Sequence, residues 1–465
     1  MRQRLLLLAG ALVAFGASLG SGFHFDDYAI FADPNLTSSG GWLAIWHLRQ
    51  TRPLTYLTFW MNYQLGGREP VGYHVLNLAL HVGAVLLGYE CLRRLLPERA
   101  ALVAAALFAV HPIQAEAVNY IWGRSIVLAA LLSFAALLAW ITGRRWAAVA
   151  WFAAALLAKE ECAALPLVLL VLERKRRAPL AAMFGLALAA GARVIYATAV
   201  TPGAPAGAQA GISPWHYWLA QGPAIWRYLR LLVVPYGFTV DPDMRVPRVW
   251  VGIIAWAAIA AIAVVAWRAG KVWLVAGFLL LLPSSSVFPA ADLAADRRMY
   301  LPMLGFAAAA APLVTRLKPH LIVAALVVVS LLRAQVWMSE ESLWREAVRR
   351  APDRVRPKIQ LARHVPAAEA MALLGEARRL APNDTAVAAE SGKALLDEGH
   401  PAAALAEFGR ALALDPRDAR NYNNRGVALA ALGQTDAARQ DFVRALAIDP
   451  GLTEAVRNLR ALPAR

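Results

Sequence analysis

The chain has 465 residues, of which 59% are hydrophobic and 17% charged, with 47 Lys+Arg against 31 Asp+Glu. Soluble domains average about 45–50% apolar and about 25% charged residues, so this composition excludes an ordinary soluble enzyme and indicates a helical membrane protein. The basic excess lies before residue 339, where 28 Lys+Arg face 14 Asp+Glu; residues 339–465 hold 19 against 17, a distribution that points to membrane topology and lipid phosphates and away from nucleic acid.

The first apolar run covers 5–21, behind Met1-Arg2-Gln3-Arg4. Small residues near Ala17-Ser18-Leu19 also fit a cleaved signal peptide. An uncleaved first span is the better reading, because Phe23-His24-Phe25-Asp26-Asp27-Tyr28 follows at once. Ionisable pairs at a membrane boundary are costly to place and often functional. Further apolar runs predict spans near 74–92, 100–113, 125–142, 146–158, 162–172, 179–199, 249–267, 272–289, 299–315 and 320–338. Segment 215–233, with Trp226, Arg227, Tyr228 and Arg230, is amphipathic and reads as an interfacial helix or a further span.

The positive-inside rule separates those two models. With the N-terminus in the cytoplasm and eleven spans, every cytoplasmic connection is basic: Arg93/Arg94/Arg99, Arg144/Arg145, Arg174-Lys175-Arg176-Arg177, Arg268/Lys271 and Arg316/Lys318. A twelfth span at 215–233 would move the last two groups outside. The eleven-span model also places Asp26, Asp27, Asp33, Glu69, Glu116, Glu160, Glu161, Asp241, Asp243, Asp292 and Asp296 on the outer side. Cys91 and Cys162 lie on separate spans and imply no disulfide framework.

Beyond residue 338 the composition turns charged and Ala-rich. Pro382, Pro416 and Pro450 recur every 34 residues, the period of tetratricopeptide repeats. Gly392, Leu395, Gly399, Ala404, Phe408 and Ala411 have counterparts in Gly426, Leu429, Gly433, Ala438, Phe442 and Ala445. Earlier segments with Trp344, Ala347, Ala370 and Ala377 read as degenerate or half repeats. Stacked repeats form a concave surface suited to peptides. The predicted domains are therefore 1–338, a membrane domain, and 339–465, an α-solenoid.

The outer segments carry recurring polar motifs. They are Arg52-Pro53-Leu54-Thr55, Gly72-Tyr73-His74-Val75-Leu76-Asn77 with His81 beyond, and His111-Pro112-Ile113-Gln114-Ala115-Glu116-Ala117-Val118 with Gly123-Arg124. Lys159-Glu160-Glu161, Pro283-Ser284-Ser285-Ser286 and Asp296-Arg297-Arg298-Met299-Tyr300-Leu301-Pro302 complete the set. In this order, with the Phe-Asp-Asp start and the C-terminal repeats, the chain resembles the TMTC-type protein O-mannosyltransferases, a branch of the membrane-embedded GT-C glycosyltransferases. It departs from that family's pattern at Ser125-Ile126, where an acid usually follows Gly-Arg-Ala, and in its short repeat array.

The resemblance implies a GT-C-like, all-α polytopic protein that transfers a sugar, by family mannose, from a polyprenyl phosphate to a Ser or Thr hydroxyl. The transfer would be an inverting single displacement. Such a transfer needs a general base at the acceptor and cations or donors at the leaving phosphate. Asp26 and Asp27 are the candidate catalytic pair, with Asp26 first as base. Arg124, Lys159, Arg297, Arg298 and His111 are the candidate phosphate ligands. No metal or cofactor is expected beyond the lipid-linked sugar donor; Asp241-Pro242-Asp243 has Asp-x-Asp spacing, but its proline makes a turn the natural reading. The expected partners are the lipid-linked sugar, the membrane and an acceptor protein or peptide on the repeats, with no nucleic acid. The Ala- and Arg-rich composition leads to the bacterial inner membrane with periplasmic repeats, or the endoplasmic reticulum membrane in a eukaryote.

Each candidate has a structural alternative. Asp26-Asp27 also suits a helix N-cap, His111-Pro112 a span terminus, Lys159 a pair with Glu160 or Glu161, and Arg297-Arg298 a solvated boundary. The alternative function is a non-enzymatic membrane scaffold whose repeats recruit outer-face proteins. The topology makes a direct prediction. A compartment-sensitive reporter fused after residue 338 is active only on the outer side; cytoplasmic activity would refute the eleven-span arrangement.

Overall fold

The computed structural model describes residues 1–173, 178–201, 204 and 206–463. The basic stretch Arg174-Lys175-Arg176-Arg177 lies outside the described residues. The described chain is helical, with a single isolated β-bridge, Ala206 to Ala290. It forms two compact units, Met1–Ser339 and Glu340–Arg465.

In the first unit each predicted span falls on a helix. Six are long and apolar enough to cross a membrane among the described residues: Arg2–Gly20, Pro70–Leu95, Ile121–Ile141, Ala178–Val200, Val249–Arg268 and Pro319–Val336. A seventh forms if Glu98–Val110 and Pro112–Asn119, bent by 46°, count as one span. Arg145–Ala158, Val272–Leu281 and Pro302–Val314 are apolar but shorter, and the 162–172 run holds only the 8-residue helix Leu165–Leu172. A straight crossing takes about 20 residues, so the short helices do not by themselves establish the count of eleven. The predicted 272–289 span is shorter than expected. Its helix ends at Leu281, because Pro283 cannot continue the backbone ladder.

The sequence explains most boundaries. Pro53, Pro70, Pro214, Pro302 and Pro319 open helices at the first turn, where a missing N–H costs nothing. Arg93 and Arg94 close Pro70–Leu95, opposite in sign to the carbonyl end of the dipole. Gly277 and Gly305 let Val272–Leu281 and Pro302–Val314 meet: a Cβ on Gly305 would stand 2.7 Å from the Gly277 nitrogen. The amphipathic segment forms one helix, Pro214–Val233, with Trp218 stacked on Trp256 at 5.4 Å.

The second unit is a run of antiparallel helix pairs: Val355–Ala362 with Ala367–Leu380, Thr385–Asp397 with Pro401–Leu414, and Ala419–Ala431 with Thr435–Ile448. Glu340–Arg350 precedes them and Thr453–Ala461 follows. The 34-residue period extends to the caps, since Asp384 and Asp418 each accept from the amides two and three residues on. Gly392 and Gly426 leave room for Phe408 and Phe442; a Cβ there would fall 2.7 Å and 2.6 Å from those rings. Both rings are buried. Phe442→Ala should therefore destabilise this unit by about 3–5 kcal/mol, read as a lowered unfolding midpoint of residues 340–465. An unchanged midpoint would mean that the ring contributes no packing.

Candidate active site

The apolar run that ends at the 3₁₀ turn Gly16–Gly20 delivers the chain into a second such turn, Phe25–Tyr28. Phe25 enters it at φ 20°, the one positive-φ residue other than glycine among the described residues. Successive side chains of so tight a turn diverge, and the two acids separate accordingly. Asp27 is completely buried. Its Oδ2 accepts from the His24 amide at 2.9 Å and its Oδ1 from the Trp122 amide at 2.8 Å. Burial pushes the Asp27 carboxyl well above the usual carboxylate range; the two amides and Arg124 oppose that rise, and Asp26 adds to it. Asp26 instead faces out and is exposed. The Tyr120 hydroxyl donates to its Oδ2 at 2.8 Å, and its Oδ1 makes no bond among the described residues.

Tyr120 is itself fixed. Its ring lies 4.7 Å from Phe25 and stacks on Trp337 at 5.8 Å. Trp337 is fully buried, and its carbonyl accepts from Ser21 Oγ and from His24 Nε2. The corner that carries Tyr120 and Trp122 depends on Gly123, where a Cβ would meet the Ala117 carbonyl at 2.8 Å. Asn77 secures the same corner by donating to the Tyr120 carbonyl at 3.0 Å.

The cations divide into two groups. Arg124, His111 and Arg298 spend their donors inside the protein. Arg124 is fully buried, with Nε on Asn77 Oδ1 at 2.7 Å, Nη1 on the Thr58 carbonyl at 3.2 Å and Nη2 on the Tyr73 carbonyl at 2.9 Å. It also stands 4.7 Å over the Phe59 ring. His111 accepts from the Ile113 amide through Nδ1, which makes Nε2 the donor to the Leu232 carbonyl, 3.2 Å away. Arg298 donates to the carbonyls of Leu293 and Asp292 at 3.2 and 2.7 Å.

Arg297 and Lys159 instead pair with carboxylates. Arg297 pairs with Glu116 and, at 3.3 Å, with Asp292. Burial disfavours its charge, but those carboxylates hold it above the ordinary arginine value. Lys159 pairs with Glu161 at 3.2 Å. Burial pulls its pKa down to about 8, against the two neighbouring carboxylates and together with Arg52 and Arg297. Tyr120 lies within electrostatic reach of Asp26, Asp27 and Arg297, and Arg297 within reach of Lys159. Tyr120 is thus the residue that stands between the acid pair and Arg297.

Three participants are not readable from the sequence as a site. Tyr120 is a lone tyrosine in an apolar corner. Arg52 clasps Glu160 through two bonds, 3.1 and 2.6 Å, across 108 positions. That guanidinium helps hold the Glu160 carboxyl down at about 2, although burial alone would raise it. Arg227 of the amphipathic helix Pro214–Val233 pairs with Asp296. The only available signal is that Arg52, Glu116, Glu160 and Asp296 all lie within the outer motifs. A cleft of 80 Å³ beside the Arg52 clasp is lined by Thr55, Tyr56, Trp122 and Ser125.

The Lys159 environment has a pH consequence. Its native pKa of about 8 lies below the ordinary lysine value of 10.5, so between those values the unfolded chain binds more protons and stability rises with pH. In detergent, wild type should gain thermal stability relative to Lys159→Met as pH rises from 8 to 10. A difference that stays constant with pH would assign Lys159 an ordinary pKa.

The tetratricopeptide repeat family model matches residues 419–452. A Caenorhabditis elegans protein named protein O-mannosyl-transferase F38B6.6 is 32% identical over 162 residues, which is 31% of this chain and 24% of that protein. The Homo sapiens protein O-mannosyl-transferase TMTC4 is 37% identical over 157 residues, 28% of this chain and 21% of that protein. The chain thus spans about a quarter or less of the length of these relatives. Among solved structures, ArnT from Cupriavidus metallidurans bound to undecaprenyl phosphate aligns over 94% of this chain and 79% of its own, at 14% identity and a TM-score of 0.42. The chain is an all-α, integral membrane protein with C-terminal tetratricopeptide repeats, and it is similar in sequence to proteins named protein O-mannosyl-transferase.

Proposed function

We propose that the protein is a membrane-embedded protein O-glycosyltransferase that moves a sugar, mannose by its relatives, from a polyprenyl phosphate to a Ser or Thr hydroxyl on the outer face. The observation that supports this reading is the exposed Asp26 carboxylate, held by the hydroxyl of Tyr120, which is itself within electrostatic reach of Arg297.

In this reading Asp26 Oδ1 takes the proton of the acceptor hydroxyl as its oxygen attacks the anomeric carbon. The bond from that carbon to the phosphate oxygen breaks, and the polyprenyl phosphate leaves with the electron pair. One displacement inverts the anomeric centre, and no covalent intermediate forms. Lys159 and Arg297 stabilise the charge that grows on the leaving phosphate. Tyr120 is a positioning residue that fixes Asp26. Asp27, with both oxygens bound to amides, positions the loop. Arg124, His111 and Arg298 hold the walls of the site through their internal bonds. The repeats offer the acceptor peptide a surface. The compartment is the periplasmic side of a bacterial inner membrane, or the lumen of the endoplasmic reticulum in a eukaryote.

Asp26→Asn preserves shape and removes the basic oxygen. It should lower sugar transfer from a mannosyl polyprenyl phosphate by about 10²-fold or more, with unchanged thermal stability and donor binding. Full transfer by Asp26→Asn, in a protein whose wild type is active, would remove Asp26 from catalysis. Absence of transfer in wild type would favour the scaffold.

A further inference from the structure

The helix Ala178–Val200 is one of the apolar candidate spans, yet it carries Arg193. A charge within such a segment is costly unless something answers it. Arg193 Nε donates to the Leu48 carbonyl at 3.2 Å, and Nη2 to the His47 carbonyl at 3.0 Å and to that of Gln50. These acceptors are neutral. Among the described residues Arg193 forms no ion pair, and its Nη1 makes no bond. The guanidinium therefore presents an unbalanced positive charge.

That charge stands at the end of a groove. Ala153, Leu156 and Leu157 of the helix Arg145–Ala158 and Leu186, Ala189 and Ala190 of Ala178–Val200 line an apolar cavity of 270 Å³. Thr51, Glu160 and Arg193 form its polar end. Thr51 also borders the cleft beside the Arg52 clasp, whose wall includes Trp122, the residue whose amide holds Asp27. The groove and the cleft beside the Arg52 clasp therefore share Thr51 as a common wall. The loop that Arg193 ties down exposes Trp42, Leu43, Trp46 and Leu48, a composition that sits at headgroup depth in a membrane.

We propose that this groove holds the phosphate-proximal isoprene units of the polyprenyl phosphate donor, and that Arg193 Nη1 meets its phosphate at the mouth. The assignment rests on the glycosyltransferase reading for the identity of the lipid. An apolar trough explains the chain, and a single uncompensated cation at its polar end explains the anionic head. Arg193 would receive the phosphate as the donor enters, and Lys159, next to Glu160 in the chain, would take it over in the reaction. The alanines leave the space, and a larger side chain at Ala190 would close it.

The test uses full-length protein in detergent, with undecaprenyl phosphate as probe and phosphatidylglycerol as the control lipid, each retained complex counted by native mass spectrometry. Ala190→Phe and Arg193→Gln should each lower undecaprenyl phosphate binding tenfold or more and leave phosphatidylglycerol binding unchanged. Ala190→Phe keeps the ties to residues 47–50, so it answers the question even if Arg193→Gln fails to fold. Undiminished undecaprenyl phosphate binding by Ala190→Phe overturns the proposal. Equal loss of both lipids also overturns it, because the groove is then a general lipid site. The two readings fail separately. Groove-dependent binding without any sugar transfer by wild type refutes the enzyme and keeps the groove. Wild-type transfer and binding by Ala190→Phe refutes the groove and keeps the enzyme.

Discussion

Asp27 is the fixed point of the membrane unit. A carboxylate with no exposure is costly unless both oxygens are answered, and here two backbone amides from distant parts of the chain answer them. That requirement joins the turn after the first span to the Trp122 corner. It turns Asp26 outward, brings Tyr120 to Asp26, and sets Tyr120 against the buried Trp337. Loss of either amide would leave a buried acid half-satisfied, so the position of Asp26 depends on a neighbour with no access to solvent.

The motif residues meet one another more than they meet solvent. Asn77 holds Arg124, His81 receives the Tyr300 hydroxyl at 2.7 Å, and Glu116 takes both the amide and the guanidinium of Arg297. His74 reaches the Gly22 carbonyl. Polar residues so deep in an apolar bundle find their partners inside it. The result is a polar frame bonded to itself, with a few charges left at its edge.

Much of this was legible in the sequence. The apolar runs fall on helices, and the 34-residue spacing locates the repeat pairs, because hydropathy and period are local properties. The acid pair at the first span was legible for the same reason. What was hidden is non-local. Nothing in Arg124 distinguishes a buried guanidinium bonded to carbonyls from a phosphate ligand, and nothing in Lys159 says which of two adjacent glutamates it takes. Arg193 showed only as a charge in an apolar run; its loop partners lie about 145 positions earlier. The end of the 272–289 run was legible in Pro283, but mean hydropathy carried the span past it.

The Arg52–Glu160 clasp bears on the order in which the protein is made. It joins residues 108 positions apart, and the tie of Arg297 to Glu116 spans 181. A chain emerging from the ribosome holds Arg52, Asp27 and Glu116 long before their partners exist. Closing such loops comes late, after their chain entropy has been met. Until Glu160 is made, Arg52 in the first outer loop therefore has no carboxylate partner, and Glu116 waits longer, until Arg297. A chain stopped before Arg297 would still leave Glu116 without its guanidinium, a state open to chaperones and proteases that the finished protein is not.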